Sequence, residues 1–208
     1  MTGMQPHGAR QQLTYLRISI DDIEAATVDT DGRDFVGIRV GGTKADDDYA
    51  DMGVTGGVYN TEGVTDHRIW IDQMSLRIGQ AVGVAFVERG LQTGEGSSLS
   101  DLYPDSVDRD PAPIDPVELA KEERQAARVR DRYEVRLTMA GGVAVTLVTS
   151  PDDHGFGFHV LWSKWNPDRV SVSLHTFTMA SVANGEPGRY AVREKMPVGE
   201  AVRLELVG

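Results

Sequence analysis

The chain has 208 residues, 40% of them hydrophobic, carries a formal charge of −11, and has no cysteine. The missing cysteines exclude disulfides, thiolate nucleophiles and cysteine-held zinc or iron–sulfur sites. The acidity, with no basic stripe to offset it, argues against nucleic acid and against an anionic membrane surface as partners.

The first 11 residues read as a flexible N-terminus. They lack the basic start and apolar stretch of a secretion signal, so a cytoplasmic protein is expected. Residues 12–90 then read as a β repeat, with apolar residues alternating at Leu16, Ile18 and Ile20, at Val36, Ile38 and Val40, and at Val82, Val84 and Phe86. A period of two puts one face of each strand on a core and the other in water. The longest apolar runs, Val82–Val87 and Val143–Val148, are strand-sized, far short of the roughly 20 residues that span a bilayer.

Residues 91–132 read as an acidic linker and a helix. Gly94–Pro113 is rich in Ser, Gly, Pro and Asp. Asp115 then offers a cap, Pro116 suits the first turn and Glu118 completes a capping-box pattern, which predicts a mostly solvated helix over Pro116–Asp131.

Residues 133–208 read as a second β repeat. Alternation recurs at Val135, Leu137 and Met139; Val143, Val145 and Leu147; Phe156, Phe158 and Val160; Val170, Val172 and Leu174; and Val202, Leu204 and Leu206. Ala140-Gly-Gly142 reads as a hairpin turn, and Asn184–Gly188 as a loop.

The two repeats align at an offset of 120 residues. Ile78–Val87 matches Val198–Val207, Val36–Val40 matches Phe156–Val160, and Trp70 falls on Tyr190. At an offset of 119, Leu16–Ile20 matches Val135–Met139. Three matches in one order indicate duplication. The fold class expected is mainly β: two related antiparallel β-sandwich or barrel-like units in tandem, with one short helix between them.

Several groups of residues have chemistry to offer. Asp46, Asp47, Asp48 and Asp51 form the densest acidic run and could furnish oxygen ligands to a hard cation, although the spacing is not that of an EF-hand. His154, His159 and His175, with Asp152 and Asp153 close by, are of the types that bind metals or move protons, without a known ligand spacing. Phe156, Phe158, Trp162 and Trp165 make the most aromatic stretch. The two phenylalanines share the inward phase of their strand, and the two tryptophans fall where the strand ends, at least one of them expected to be exposed and both candidates for ligand binding. Gly37–Lys44 is not a phosphate loop, because Thr43 separates glycine from lysine. No cofactor motif is found.

The chief functional reading is a non-catalytic binding or assembly module that presents duplicated β units to a protein partner, with homo-oligomers left open. The alternative is an enzyme or a small-ligand or metal-binding protein with its site around His154, His159 and Trp162. The strand, tight turn and strand of Tyr133–Thr149, with a closing strand before Gly208, are also similar to tandem ubiquitin-like proteins. That resemblance implies a modifier, but the β-grasp helix is replaced by the Gly- and aromatic-rich stretch Asp152–Asn166.

Overall fold

The computed structural model describes residues 14–60, 63–88, 90–104 and 115–208. The N-terminal stretch expected to be flexible, and linker residues 105–114, lie outside these. Twelve strands form two six-stranded antiparallel sheets. The first half gives β1 (Tyr15–Ile20), β2 (Ile23–Asp29), β3 (Phe35–Thr43), β4 (Ala50–Asn60), β5 (Gly63–Leu76) and β6 (Ala81–Val87). The second gives β7 (Glu134–Thr138), β8 (Ala144–Val148), β9 (Gly155–Ser163), β10 (Arg169–Phe177), β11 (Arg189–Pro197) and β12 (Ala201–Leu206).

Sheet A has the order β2-β1-β6-β12-β7-β8 and sheet B the order β11-β10-β9-β3-β4-β5. Each half therefore supplies three adjacent strands to each sheet, and the sheets run on from one half into the other. The inward residues of both sheets share one buried cluster, including Leu16, Ile18, Val82 and Leu204 from sheet A and Val36, Ile38, Phe158 and Leu174 from sheet B. Each fully buried aliphatic or aromatic side chain of this kind contributes about 1.5–3 kcal/mol.

The registers follow the sequence offset. At the middle of sheet A, Gly83 faces Arg203, and at the middle of sheet B, Arg39 faces His159; each pair is 120 residues apart. Even an irregularity recurs. The β4–β5 register slips between Val54 and Thr55, and the β10–β11 register slips between Leu174 and His175, again 120 apart. Beyond this slip Thr55 faces Ile69 and His175 faces Tyr190, so the register places Tyr190 on Ile69, not on Trp70 as direct alignment does.

Three short helices join the strands: α1 (Leu99–Leu102), α2 (Pro116–Gln125) and α3 (Met179–Asn184). Asp115 caps α2 by accepting from the Val117 amide at 2.8 Å. The helix stops at Gln125 rather than Asp131 because the residues after it are bound elsewhere. The Val129 amide donates to the Lys44 carbonyl at 2.8 Å, and the Arg130 guanidinium reaches the carbonyls of Thr43, Asp47 and Asp48. Part of the stretch expected to be the Asn184–Gly188 loop belongs to α3, with Thr178 and Ser181 in a capping box and Gly185 in the left-handed region at its end.

The chain passes from β8 to β9 with no helix between them, and β7 and β12 pair antiparallel, which is not the arrangement of a ubiquitin-like unit. The β7–β8 connection is the expected Gly-Gly turn. Gly141 and Gly142 have φ of 81° and 79°, and a Cβ on either would meet nothing within 4 Å. The cost of a side chain there is conformational alone. Gly141→Ala is expected to lower stability by about 1–2 kcal/mol, read as a lower denaturant midpoint at unchanged slope; an unchanged midpoint would refute it.

Candidate functional site

The outward face of sheet B is where exposed aromatic surface collects. Inward alternation of Val36, Ile38 and Val40 turns Phe35, Gly37, Arg39 and Gly41 outward on β3. The same phase on β9 turns out Gly155, Gly157, His159 and Leu161. Neighbouring side chains cover several of these glycines: a Cβ on Gly155 would meet the Phe177 ring at 2.8 Å, and one on Gly37 the Leu161 side chain at 3.1 Å. At its end, Phe35 packs on Tyr59 with ring centroids 5.0 Å apart, and Tyr59 packs on Trp165 at 5.8 Å. Trp165 is 65% exposed, Tyr59 46% and Leu161 43%.

The β9–β10 turn that carries Trp165 is tied down from below. The Lys164 amide donates to the Asp34 carbonyl at 3.0 Å, and the Lys164 ammonium pairs with the Asp34 carboxylate while lying 5.2 Å from the Trp165 ring centre. Asp34 is buried and also accepts from the Tyr59 amide at 2.8 Å. Lys164 first, and that amide second, hold its carboxyl below the usual carboxylate range. One buried carboxylate thus positions both Tyr59 and the turn bearing Trp165.

Trp162 faces the other way. It is 5% exposed, and its indole N–H donates to the Pro167 carbonyl at 3.0 Å. Its edge lines a cleft of about 740 Å³ with Arg33, Asp34, Glu88, Lys164 and Asp168. The two cations of this cleft are already engaged, Lys164 with Asp34 and Arg33 with Asp66.

The histidines do not meet there. His154 is buried just before β9, its carbonyl accepting from the Lys44 amide at 2.8 Å and its amide donating to Phe177 at 2.7 Å. Eight residues of extended chain, roughly 26 Å, separate it from Trp162. Beside it Asp153 accepts from the Ser150 amide at 2.7 Å, the Thr176 hydroxyl at 2.9 Å and Arg189 at 3.2 Å. Burial pushes the Asp153 carboxyl up, but these donors together bring it below its ordinary value. Lys44, fully buried, donates to the Ser150 carbonyl at 2.7 Å, and burial lowers its pKa. These bonds account for the polar groups as an internal brace between the halves.

His159 lies on the outward face opposite Arg39, in a row of rings: His159 to His175 at 5.4 Å, and His175 to Tyr190 at 5.3 Å. Arg193 covers Tyr190 at 5.0 Å. A Cβ on Gly157 would come within 2.8 Å of the His175 ring, so the glycine makes room for that ring against the sheet. Burial, then His175 and Arg39, push His159 down to about 4, and burial lowers His175 as well.

The four aspartates are drawn to separate partners. Asp46 accepts from the Thr43 amide at 3.2 Å, Asp48 from the Ser75 hydroxyl at 2.7 Å, and Asp51 pairs with Arg39 at 2.7 Å. Asp47 contributes its carbonyl to Arg130. Among the described residues no group of three or more His, Asp or Glu is placed to hold a metal ion.

Of the residues picked from sequence, Trp165 is exposed, and Trp162, His154 and His159 lie in three different surroundings. Phe35, Tyr59, Leu161 and Asp34 were not picked. A signal for Phe35 does exist: it is a large aromatic in the outward phase of a strand whose other phase is wholly aliphatic. The chain matches no protein-family model, no curated protein and no solved structure. Among the described residues no helix is long and apolar enough to cross a membrane.

Proposed function

We propose that this chain is an internally duplicated, non-catalytic binding module that docks a protein partner on the outward face of sheet B, with Trp165 as the anchor. The observation that carries this reading is the aromatic row Phe35–Tyr59–Trp165, its last two rings exposed, held by the buried Asp34 carboxylate and its Lys164 partner. Rigid aromatic rings lose little entropy on docking and dominate the energetics of partner surfaces. A pre-positioned ring loses less still. The recurrence of register and slip at 120 residues supports the duplication. The scatter of His154, His159 and Trp162 weighs against an enzyme or ligand site built from them.

The test is site-specific photo-crosslinking from position 161, exposed on the same face with Trp165 intact, in the native cell, followed by quantitative binding of the captured protein. Trp165→Ala is expected to weaken that binding at least tenfold, about 1.4 kcal/mol or more, with unfolding changed by no more than about 1 kcal/mol because the ring is 65% exposed and packs on Tyr59 and Lys164. A captured protein that binds Trp165→Ala as tightly as the parent would remove the basis for the assignment.

A further inference from the structure

The two halves differ in how their outer edges are closed. In the first half the edges of β2 and β5 lie close together, and residues 90–98 run across them as a strap. Thr93 exchanges two hydrogen bonds with Thr27 on β2: its amide donates to the Thr27 carbonyl at 2.8 Å, and its hydroxyl accepts from the Thr27 amide at 2.7 Å. Four residues on, Ser97 exchanges two backbone bonds with Ile69 on β5, each of 2.9 Å. The Trp70 indole N–H adds a bond to the Gly94 carbonyl at 3.0 Å. Five residues thus extend both sheets at once.

The same two edge positions exist in the second half. Thr27 faces Arg17 on β1, and Thr146 faces Arg136 on β7, the same residue pair 119 residues on. The register slip makes Tyr190 the counterpart of Ile69. The amide of Thr149 donates to the carbonyl of Tyr133, which sets the alternation along β8 and turns the Thr146 backbone away from β7. Among the described residues nothing pairs with the outward backbone of Thr146 or Tyr190, and Val148 and Tyr190 are exposed. Position 96 of the strap is glycine, with φ of 73° and a Cβ position 3.0 Å from the Trp70 ring; in the place of Trp70 stands the small Ala191, which removes the ring's share of that crowding.

We infer that the β8–β11 edge is a second docking site, which accepts an extended acidic segment of a partner protein by strand addition, in the manner in which residues 93–97 close β2 and β5. The strap shows how such edges are filled in this fold. Charge selects the occupant. In a chain of net charge −11, the exposed Arg193 and Lys195 of β11 have only Glu194 against them on that strand, Arg189 being paired to Asp153, and β8 carries no charge. The inference rests on the reading as a binding module but not on Trp165.

The probe is a fluorescent peptide of residues 91–101 of this chain, which carries the strap and the acidic Glu95 and Asp101. Saturable binding to the intact protein is expected. Thr146→Pro removes an outward N–H and no ladder bond, as edge strands tolerate, and should weaken binding at least tenfold. The surface pair Arg193→Glu with Lys195→Glu should weaken it several-fold in low salt and less in high salt, with no demand on folding. Trp165→Ala should leave peptide binding unchanged, which separates failure here from failure of the sheet B reading. Absence of saturable binding, or binding indifferent to both edge variants, would overturn the inference. So would self-association, measured by light scattering, that Thr146→Pro abolishes, because the occupant would then be a second copy.

Discussion

Replacing Tyr133 with alanine is expected to lower the free energy of unfolding by about 3–5 kcal/mol, the range for deleting a large buried aromatic ring. Tyr133 is fully buried where the chain enters the second half, and its ring packs edge-on against Tyr49 and Phe156, each at 4.9 Å. Its hydroxyl donates to the Thr43 carbonyl at 2.6 Å and accepts from Arg130 at 2.6 Å, and Arg130 in turn holds the 43–48 loop of the first half. Burial pushes the phenol up to about 12, so it stays a neutral donor through the ordinary pH range. Gly42 is cut to fit it: a Cβ there would lie 2.7 Å from the hydroxyl and 2.6 Å from the Tyr49 carbonyl.

Tyr133→Phe keeps the ring and loses both bonds, while the Thr43 carbonyl still accepts from Arg130 and Arg130 keeps the Asp48 carbonyl, for about 1 kcal/mol. Urea unfolding of the two variants separates ring from hydroxyl. A loss below about 1 kcal/mol for Tyr133→Ala would mean the site collapses around the missing ring and does not join the halves.

How much of this was legible in the sequence depends on where each residue's partner lies. Strands with clean alternation, such as β3, β9 and β12, declare themselves, because a period of two is a local property and Val36, Phe158 and Leu204 need only a core to face. The four strands with no such pattern are harder. β4 carries Gly53, Gly56 and Gly57 among its apolar residues, and β5 slips register against it, so neither keeps a regular phase. β2 buries Ala26, Thr27 and Val28 in succession, and β11 breaks its inward phase with the exposed Glu194 between Val192 and Met196. The helix α2 was legible at its cap, a local feature, and not at its end, which Lys44 and Thr43 set from some 85 residues away.

The candidate sites divide in the same way. Trp165 follows a strand end, and its exposure could be expected from that alone. Tyr59 joins it only because β3 lies between β4 and β9, a neighbourhood that pairing across the halves creates. The Asp46–Asp51 run fails as a cluster for the converse reason: residues adjacent in sequence are claimed by Thr43, Ser75, Arg39 and Arg130 in different directions.

The histidine row supplies the second large effect, a loss of stability between pH 6.5 and pH 4. His159 ionises near 6.5 when unfolded and near 4 when folded. A histidine with a depressed folded value binds fewer protons in the native state than in the unfolded one, so unfolding takes up protons across that window. The contribution is whole above 6.5 and is lost as the pH falls to 4, amounting to about 3 kcal/mol at most for a shift of this size. The surroundings explain the direction. Arg39 faces His159 and is itself paired to Asp51, Arg193 caps the far end of the row, and His175 between them has a buried Nδ1 without a hydrogen-bond partner. Burial is the main cause for both rings, and on His159 the neighbouring His175 and then Arg39 add to it. The carboxylates held low, Asp34, Asp66, Asp101 and Asp153, lose their contributions only below about 3.8, while Asp29, raised by burial and by Asp31, works against the histidines as the pH falls. Urea midpoints measured from about pH 7 down to about pH 4 should fall steeply in the parent chain, and His159→Leu should flatten most of that slope. An equal slope in both would show that the row takes up its proton without cost, with Arg39 or His175 moving aside to admit it.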